Sequence, residues 1–146
     1  MTAGKDYRAL NDEEQRLRDS GIELIEMVAT GMGCTLSKDG NVTDLEILQD
    51  IVEGLKWPDD DVMTISVGLA FGRVLAHRCD LEWVRFSDDW GEETSLKLRG
   101  YEYFLHPIGM MTKRVEAGEE IDLRYLYEEL VRRIEEDGPQ QMPTPN

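Results

Sequence analysis

Val62 to Ala76 is the stretch that most restricts how this chain can fold. Val62, Met63, Ile65, Val67, Leu69, Ala70, Phe71, Val74 and Leu75 leave no polar side on a helix drawn through it. A helix that is apolar nearly all round must be covered on several sides, so it is expected at the centre of the molecule. At about 15 residues, with Arg73 inside, it is shorter than the ~20 residues a membrane span needs. Gly68 and Gly72 lie one turn apart on it, which lets another element approach closely.

Short runs with a period near two follow: Leu81 to Phe86, Thr94 to Arg99 and Tyr101 to His106. They are rich in aromatic and branched residues and predict a three-stranded antiparallel meander. Upstream, Asn11-Asp12-Glu13-Glu14 predicts a capped helix start. Leu17, Gly21, Leu24, Ile25 and Val28 would share its face, and Gly31 to Gly33 would end it. A second amphipathic helix is expected from Thr43 to Lys56 through Leu45, Leu48, Ile51, Val52 and Leu55, stopped by Trp57-Pro58. Asp59 to Asp61 cap the central helix. A short helix over Ile108 to Ala117 and a final one carrying Leu123, Leu126, Tyr127, Leu130 and Ile134 complete the chain. The fold class is therefore α+β: about five helices with a three-stranded meander. Residues 1–137 are expected as one domain, with a helical part over 1–61, and residues 138–146 as a disordered tail. The expected core holds Ile65, Leu69, Phe71, Leu75, Trp83, Phe86, Leu126 and Leu130.

Charge decides the classes of partner. There are 31 acidic against 16 basic residues, a net −15 spread over both halves. Such a field repels nucleic acid and anionic membranes, which call for clustered Lys and Arg, and favours solubility, metal cations or a basic protein partner. The segment MTAGKDYRAL has no apolar run and does not read as a secretory signal. Cys34 and Cys79 are too few for a disulfide framework. Both features predict a cytoplasmic protein with reduced thiols.

Three groups of residues invite a chemical reading. Ser87 to Thr94 reads SDDWGEET, placing Asp88, Asp89, Glu92 and Glu93 around Trp90. As the tip of a hairpin, Asp and Gly serve turn geometry. As an acid–base site, at least one carboxylate would have to be desolvated. The turn is preferred. Residues 35–46, TLSKDGNVTDLE, can be laid on a calcium loop with Ser37, Asp39, Thr43 and Glu46 as oxygen ligands and Gly40 at the bend. The first position is Thr35 where Asp is needed, and Thr43 with Glu46 is read instead as a capping box. His77, Cys79, Cys34 and His106 lack zinc-ligand spacing. No phosphate-binding loop, dinucleotide fingerprint, serine elbow or zinc-peptidase motif occurs, so no cofactor is implied.

Val67 to Leu130 resembles a bacterial domain-of-unknown-function family, family 3806. The resemblance is carried by Gly68, Phe71-Gly72, Leu81-Glu82-Trp83, Ser87-Asp88-Asp89-Trp90-Gly91, His106-Pro107-Ile108, and Lys113-Arg114 ahead of Gly118-Glu119. The family often has Tyr where Trp90 stands, which keeps an aromatic ring there. The resemblance implies a bacterial source and an α+β domain, and no activity. The region before Val62 is expected to lie outside it.

Two functions fit these features. The first is a small acidic protein-binding domain without turnover, of the kind that serves as an immunity protein, inhibitor or chaperone for a basic partner. The second is an enzyme or ligand-binding domain that sets the carboxylates near Trp90 with Lys113 and Arg114 around an anionic small molecule. The second requires a concavity joining Trp90 or Trp83 to Arg114.

Overall fold

A computed structural model of the chain describes residues 5–54 and 61–143. Leu55, the Trp57-Pro58 stop and the Asp59-Asp60 part of the third helix cap lie outside the described residues. The elements run β1 (Asp6–Ala9), α1 (Asp12–Gly31), α2 (Asp44–Gly54), α3 (Asp61–Cys79), β2 (Leu81–Asp88), β3 (Gly91–Leu98), β4 (Phe104–Leu105), α4 (Pro107–Glu116) and α5 (Leu123–Asp137). The fold is α+β, with five helices among the described residues.

Among the described residues the sheet has four antiparallel strands in the order β1-β2-β3-β4, not three. The extra strand is Asp6–Ala9, which pairs along Val84 to Ser87 of β2. Four residues with one aromatic ring carry too short a pattern to be read as a strand; the exposed edge of β2 supplies the order. The third expected strand shrinks to Phe104–Leu105, because Tyr101 and Glu102 pair with the C-terminal segment instead. Tyr101 bridges Pro143, and the Glu102 N–H donates to the Met142 carbonyl at 2.8 Å. That segment is not the frayed tail expected from residue 138: Gly138–Gln140 forms a 3-10 turn, and Gly138 is buried against Leu98.

α3 is the central helix. Val67, Phe71 and Leu75 are fully buried, and α1, α2, α4, α5 and the sheet all pack on it. Its two glycines are the points of closest approach. A methyl group at Gly68 would sit 2.9 Å from the Ile108 Cα, and one at Gly72 2.7 Å from the Trp83 ring. On α1, Gly21 admits Leu69 in the same way, at 2.6 Å. The helix is not covered all round, however. Val62 and Ile65 are exposed, as is Leu17 on α1, so Ile65 is removed from the expected core. Leu69, Phe71, Leu75, Phe86, Leu126 and Leu130 are buried and Trp83 is half-buried.

The two faces of the sheet differ, as alternation requires. Leu81, Leu96 and Leu105 join the helices in the main core. On the other face the rings of Tyr7 and Phe86 both pack on Phe104, at 5.3 and 5.0 Å between centroids. Lys97 lies on this face, only 2% exposed, with Nζ donating to the Leu98 carbonyl at 3.1 Å and 5.5 Å above the Tyr7 ring.

Candidate functional site

The hairpin of β2 and β3 has a loop of only two residues, Asp89 and Trp90, closed by the pair Asp88 and Gly91. Most of SDDWGEET is thus strand, and the acids other than Asp89 stand on a ladder. The Asp88 carboxylate accepts the Trp90 N–H at 2.8 Å, and Gly91 holds φ at 134°, which a side chain would resist. Asp88 therefore serves the turn. Glu92 lies 3.5 Å from the Arg85 guanidinium and 4.0 Å from that of Arg8.

Glu93 points to His106, the residue that precedes α4. Its carboxylate stands 2.7 Å from His106 Nδ1, and Ser95 Oγ stands 2.8 Å from the same nitrogen. A carboxylate at that distance must face an N–H and not a lone pair, so Nδ1 carries the hydrogen. A serine–histidine relay needs the hydroxyl on one ring nitrogen and the acid on the other. Here both meet Nδ1 and Ser95 is fully buried, so the trio is no hydrolytic triad. It fastens the start of α4 to β3.

That attachment shapes a groove of about 700 Å³. The hairpin forms one wall with Asp88, Trp90, Gly91, Glu92 and Glu93, beside Phe86 and His106. α4 forms another with Gly109, Met110, Lys113 and Arg114. α5 closes it with Tyr125, Glu129 and Arg133 over an apolar floor of Leu126 and Leu130. Trp90 is 95% exposed and Tyr125 66% exposed at its rim. The Arg132 and Arg133 guanidinium groups hold the Glu129 carboxyl below the usual carboxylate range. Among the described residues neither Lys113 nor Arg114 is ion-paired; Arg114 donates to the Met110 carbonyl of its own helix at 3.1 Å.

Of the residues singled out in the sequence, Asp88, Trp90, Glu92, Glu93, Lys113 and Arg114 meet at this groove, and Asp89 projects from the tip beside it. Tyr125, Glu129 and Arg133 were not singled out. They recur every four residues on α5, so helical periodicity carried the signal.

The loop of residues 35–46 is occupied by its own bonds. Ser37 donates its N–H and its hydroxyl to the buried Asp44 carboxylate, both at 2.8 Å. Arg73 donates to the Ser37 and Lys38 carbonyls at 3.4 and 3.5 Å, and Gly40 at φ 84° lies against it. The Thr43–Glu46 capping box is absent. The Thr43 N–H bonds Asn41, and Glu46 and Asp39 are exposed. Among the described residues, no group of three or more His, Cys, Asp and Glu side chains could hold a metal ion. Cys34 and Cys79 are both free and half-buried, and burial pushes the Cys79 thiol up. No helix among the described residues is long and apolar enough to cross a membrane.

The sequence model of a family described as "Domain of unknown function (DUF3806)" matches residues 44–127. The chain belongs to that family. The match begins earlier than the Val67 expected above and takes in α2, so part of the region before Val62 lies inside it. It covers the hairpin and α4 and ends inside α5. No curated protein matches the chain. It is similar to a crystal structure from Bacteroides thetaiotaomicron VPI-5482 solved at 1.50 Å resolution, with a TM-score of 0.77 and 18% identity. The similarity covers 87% of this chain and 47% of that one, so the chain spans about half the length of that protein. At this identity the likeness is one of fold.

Proposed function

We propose that this chain is a cytosolic protein-binding domain that acts by stoichiometric association, without turnover, and that the groove beside the hairpin is its contact surface. The observation that carries the reading is Trp90. A large ring almost wholly in water, held at the apex of a two-residue hairpin and joined at the rim by exposed Tyr125, is a rigid apolar surface that a partner can cover. Trp, Tyr and Arg are the residues on which binding energy concentrates, and a tight hairpin loses little freedom when it docks. The net charge of −15 steers a partner with a basic face, as for an immunity protein, inhibitor or escort. The test is capture of a partner from the native bacterium by tagged wild-type chain and by Trp90→Ala. Retention by the wild type alone, with an association rate that falls as salt rises, supports the reading. Equal retention by both removes it.

A second reading rests on Lys113 and Arg114. Two cations that have no ion-pair partner among the described residues, on one wall, could hold an anionic small molecule in the groove. Thermal shift with a panel of carboxylates and phosphates, repeated on Lys113→Ala, separates the two: a shift lost in the variant favours the small molecule.

A further inference from the structure

The edge of β3 at the groove is open. The Leu98 N–H donates outward to the Tyr103 carbonyl at 2.9 Å, whereas the Arg99 N–H donates to Asp80, on the β2 side, at 3.2 Å. Backbone groups alternate along a strand, so Leu98, Leu96, Thr94 and Glu92 all face away from β2. Leu96 is paired with Leu105 on β4, but β4 goes no further, because the chain turns into α4 at Pro107. Among the described residues neither Thr94 nor Glu92 has a strand beside it on this edge: the register sets Thr94 opposite Pro107, the first residue of α4, which packs on β3, and leaves the outward backbone groups of Glu92 at the groove. The opposite edge differs: β1 covers β2 from Val84 to Ser87. Gly91 and Glu92 are exposed, Glu93 and Thr94 half-buried, and Gly91 to Glu93 line the groove itself.

We propose that the groove receives an extended segment of the partner polypeptide, which adds antiparallel to β3 at Glu92, beyond the end of β4, and sets a carboxylate against Lys113 and Arg114. This rests on the protein-binding reading and names the form of its partner. An unpaired strand edge is a template for main-chain hydrogen bonds, and pockets beside it select alternate side chains. Here Met110, Leu126 and Leu130 offer an apolar surface, and the unpaired cations of α4 select an acid. A second copy of this chain is a poor occupant, since it would bring Glu92 and a charge of −15 against their own equals. The overall field acts at long range on the partner's basic face, and the local carboxylate fixes the register of the inserted strand.

The experiment uses randomised nine-residue peptides displayed on phage and selected on the full chain. The best peptide is then labelled and its affinity measured by fluorescence anisotropy. Selected peptides are expected to join apolar and acidic residues in alternation. Affinity should fall at least tenfold in Lys113→Ala/Arg114→Ala. Proline at position 92 removes the outward N–H, so Glu92→Pro should bind at least tenfold more weakly than Glu92→Ala, with thermal unfolding compared for both. If Glu92→Pro does not fold, methylating the backbone nitrogens of the peptide one by one does the same work from the other side. One such methylation should abolish binding. Equal affinities for the proline and alanine variants, or full binding by every methylated peptide, overturn strand addition. If that peptide still needs Trp90, the groove remains a docking surface and only the strand is lost. Failure to select any peptide, together with partner capture that is indifferent to Trp90→Ala, overturns both.

Discussion

Gly68 on α3 and Ile108 on α4 meet backbone to side-chain position: a Cβ on Gly68 would lie 2.9 Å from the Ile108 Cα and 3.0 Å from the Pro107 carbonyl oxygen. This contact seats the first turn of α4 on the central helix, and with it the wall that carries Lys113 and Arg114. Backbone atoms cannot swing aside as a flexible side chain can. Gly68→Ala is therefore expected to destabilise by about 1–3 kcal/mol, despite the roughly 1 kcal/mol by which Ala favours a helix interior over Gly. Gly31→Ala, where nothing lies within 4 Å, is the control. Urea unfolding that shows both variants equally stable would mean that α4 moves away freely.

Acid should weaken the N-terminus through Glu14. The Arg8 guanidinium and the Asn11 N–H hold its carboxyl down at about 2, from an ordinary 4.5. A depressed folded-state pKa gives stability that is complete above the unfolded value and lost as pH falls through the folded one. The loss should fall between about pH 4.5 and pH 2. Thermal unfolding across that range should be less steep in pH for Glu14→Gln, and an unchanged slope would rule Glu14 out as a contributor.

Lys97 is a buried cation with Glu82 at 3.7 Å. Glu82 is partly exposed and keeps Arg99 at 3.8 Å, so removing the Lys97 charge leaves no buried carboxylate unpaired, and an apolar chain of similar volume avoids the cost of burying an ammonium. Lys97→Met should raise or preserve the urea midpoint. A marked fall would show that the ammonium holds the Tyr7 strand in place.

Asp44 anchors the loop before α2. Asp44→Ala strands the Ser37 N–H and hydroxyl, and should cost about 1–3 kcal/mol. Millimolar calcium should leave the wild-type Tm unchanged. A bound ion would add about 2.7 kcal/mol at a hundredfold excess over its Kd, so a rise that Glu46→Gln abolishes would restore the calcium-loop reading.

Trp90→Ala should leave thermal stability within about 0.5 kcal/mol, because so little of the ring is buried. The same variant should lose the partner. A large loss of stability would mean that the ring is structural.

Apolar patterning, with the caps and stops, determined the helices, the α3 core and the β2–β3 pair. Phe71 and Leu75 lie on a helix with no polar side, while Leu96 and Leu130 are apolar at spacings that only one face can satisfy, and burying such surface is the dominant gain in folding. The family was legible too, because short motifs such as Phe71-Gly72 and Leu81-Glu82-Trp83 are local in sequence. Tertiary structure decided what depends on distant partners. Asp6–Ala9 becomes a strand because β2 offers it an edge, and Tyr101 leaves β4 because Pro143 is beside it. Thr43 and Glu46 had the spacing of a capping box, but the Thr43 N–H bonds Asn41 instead. The groove was half visible. Local sequence placed Trp90 at a turn and Lys113-Arg114 on a helix, while the glycine contacts of α3 and the Glu93–His106 pair brought them to one surface with α5. No local pattern encodes that meeting, because it is set by how closely helices 40 residues apart in sequence (Gly68 to Ile108) can approach.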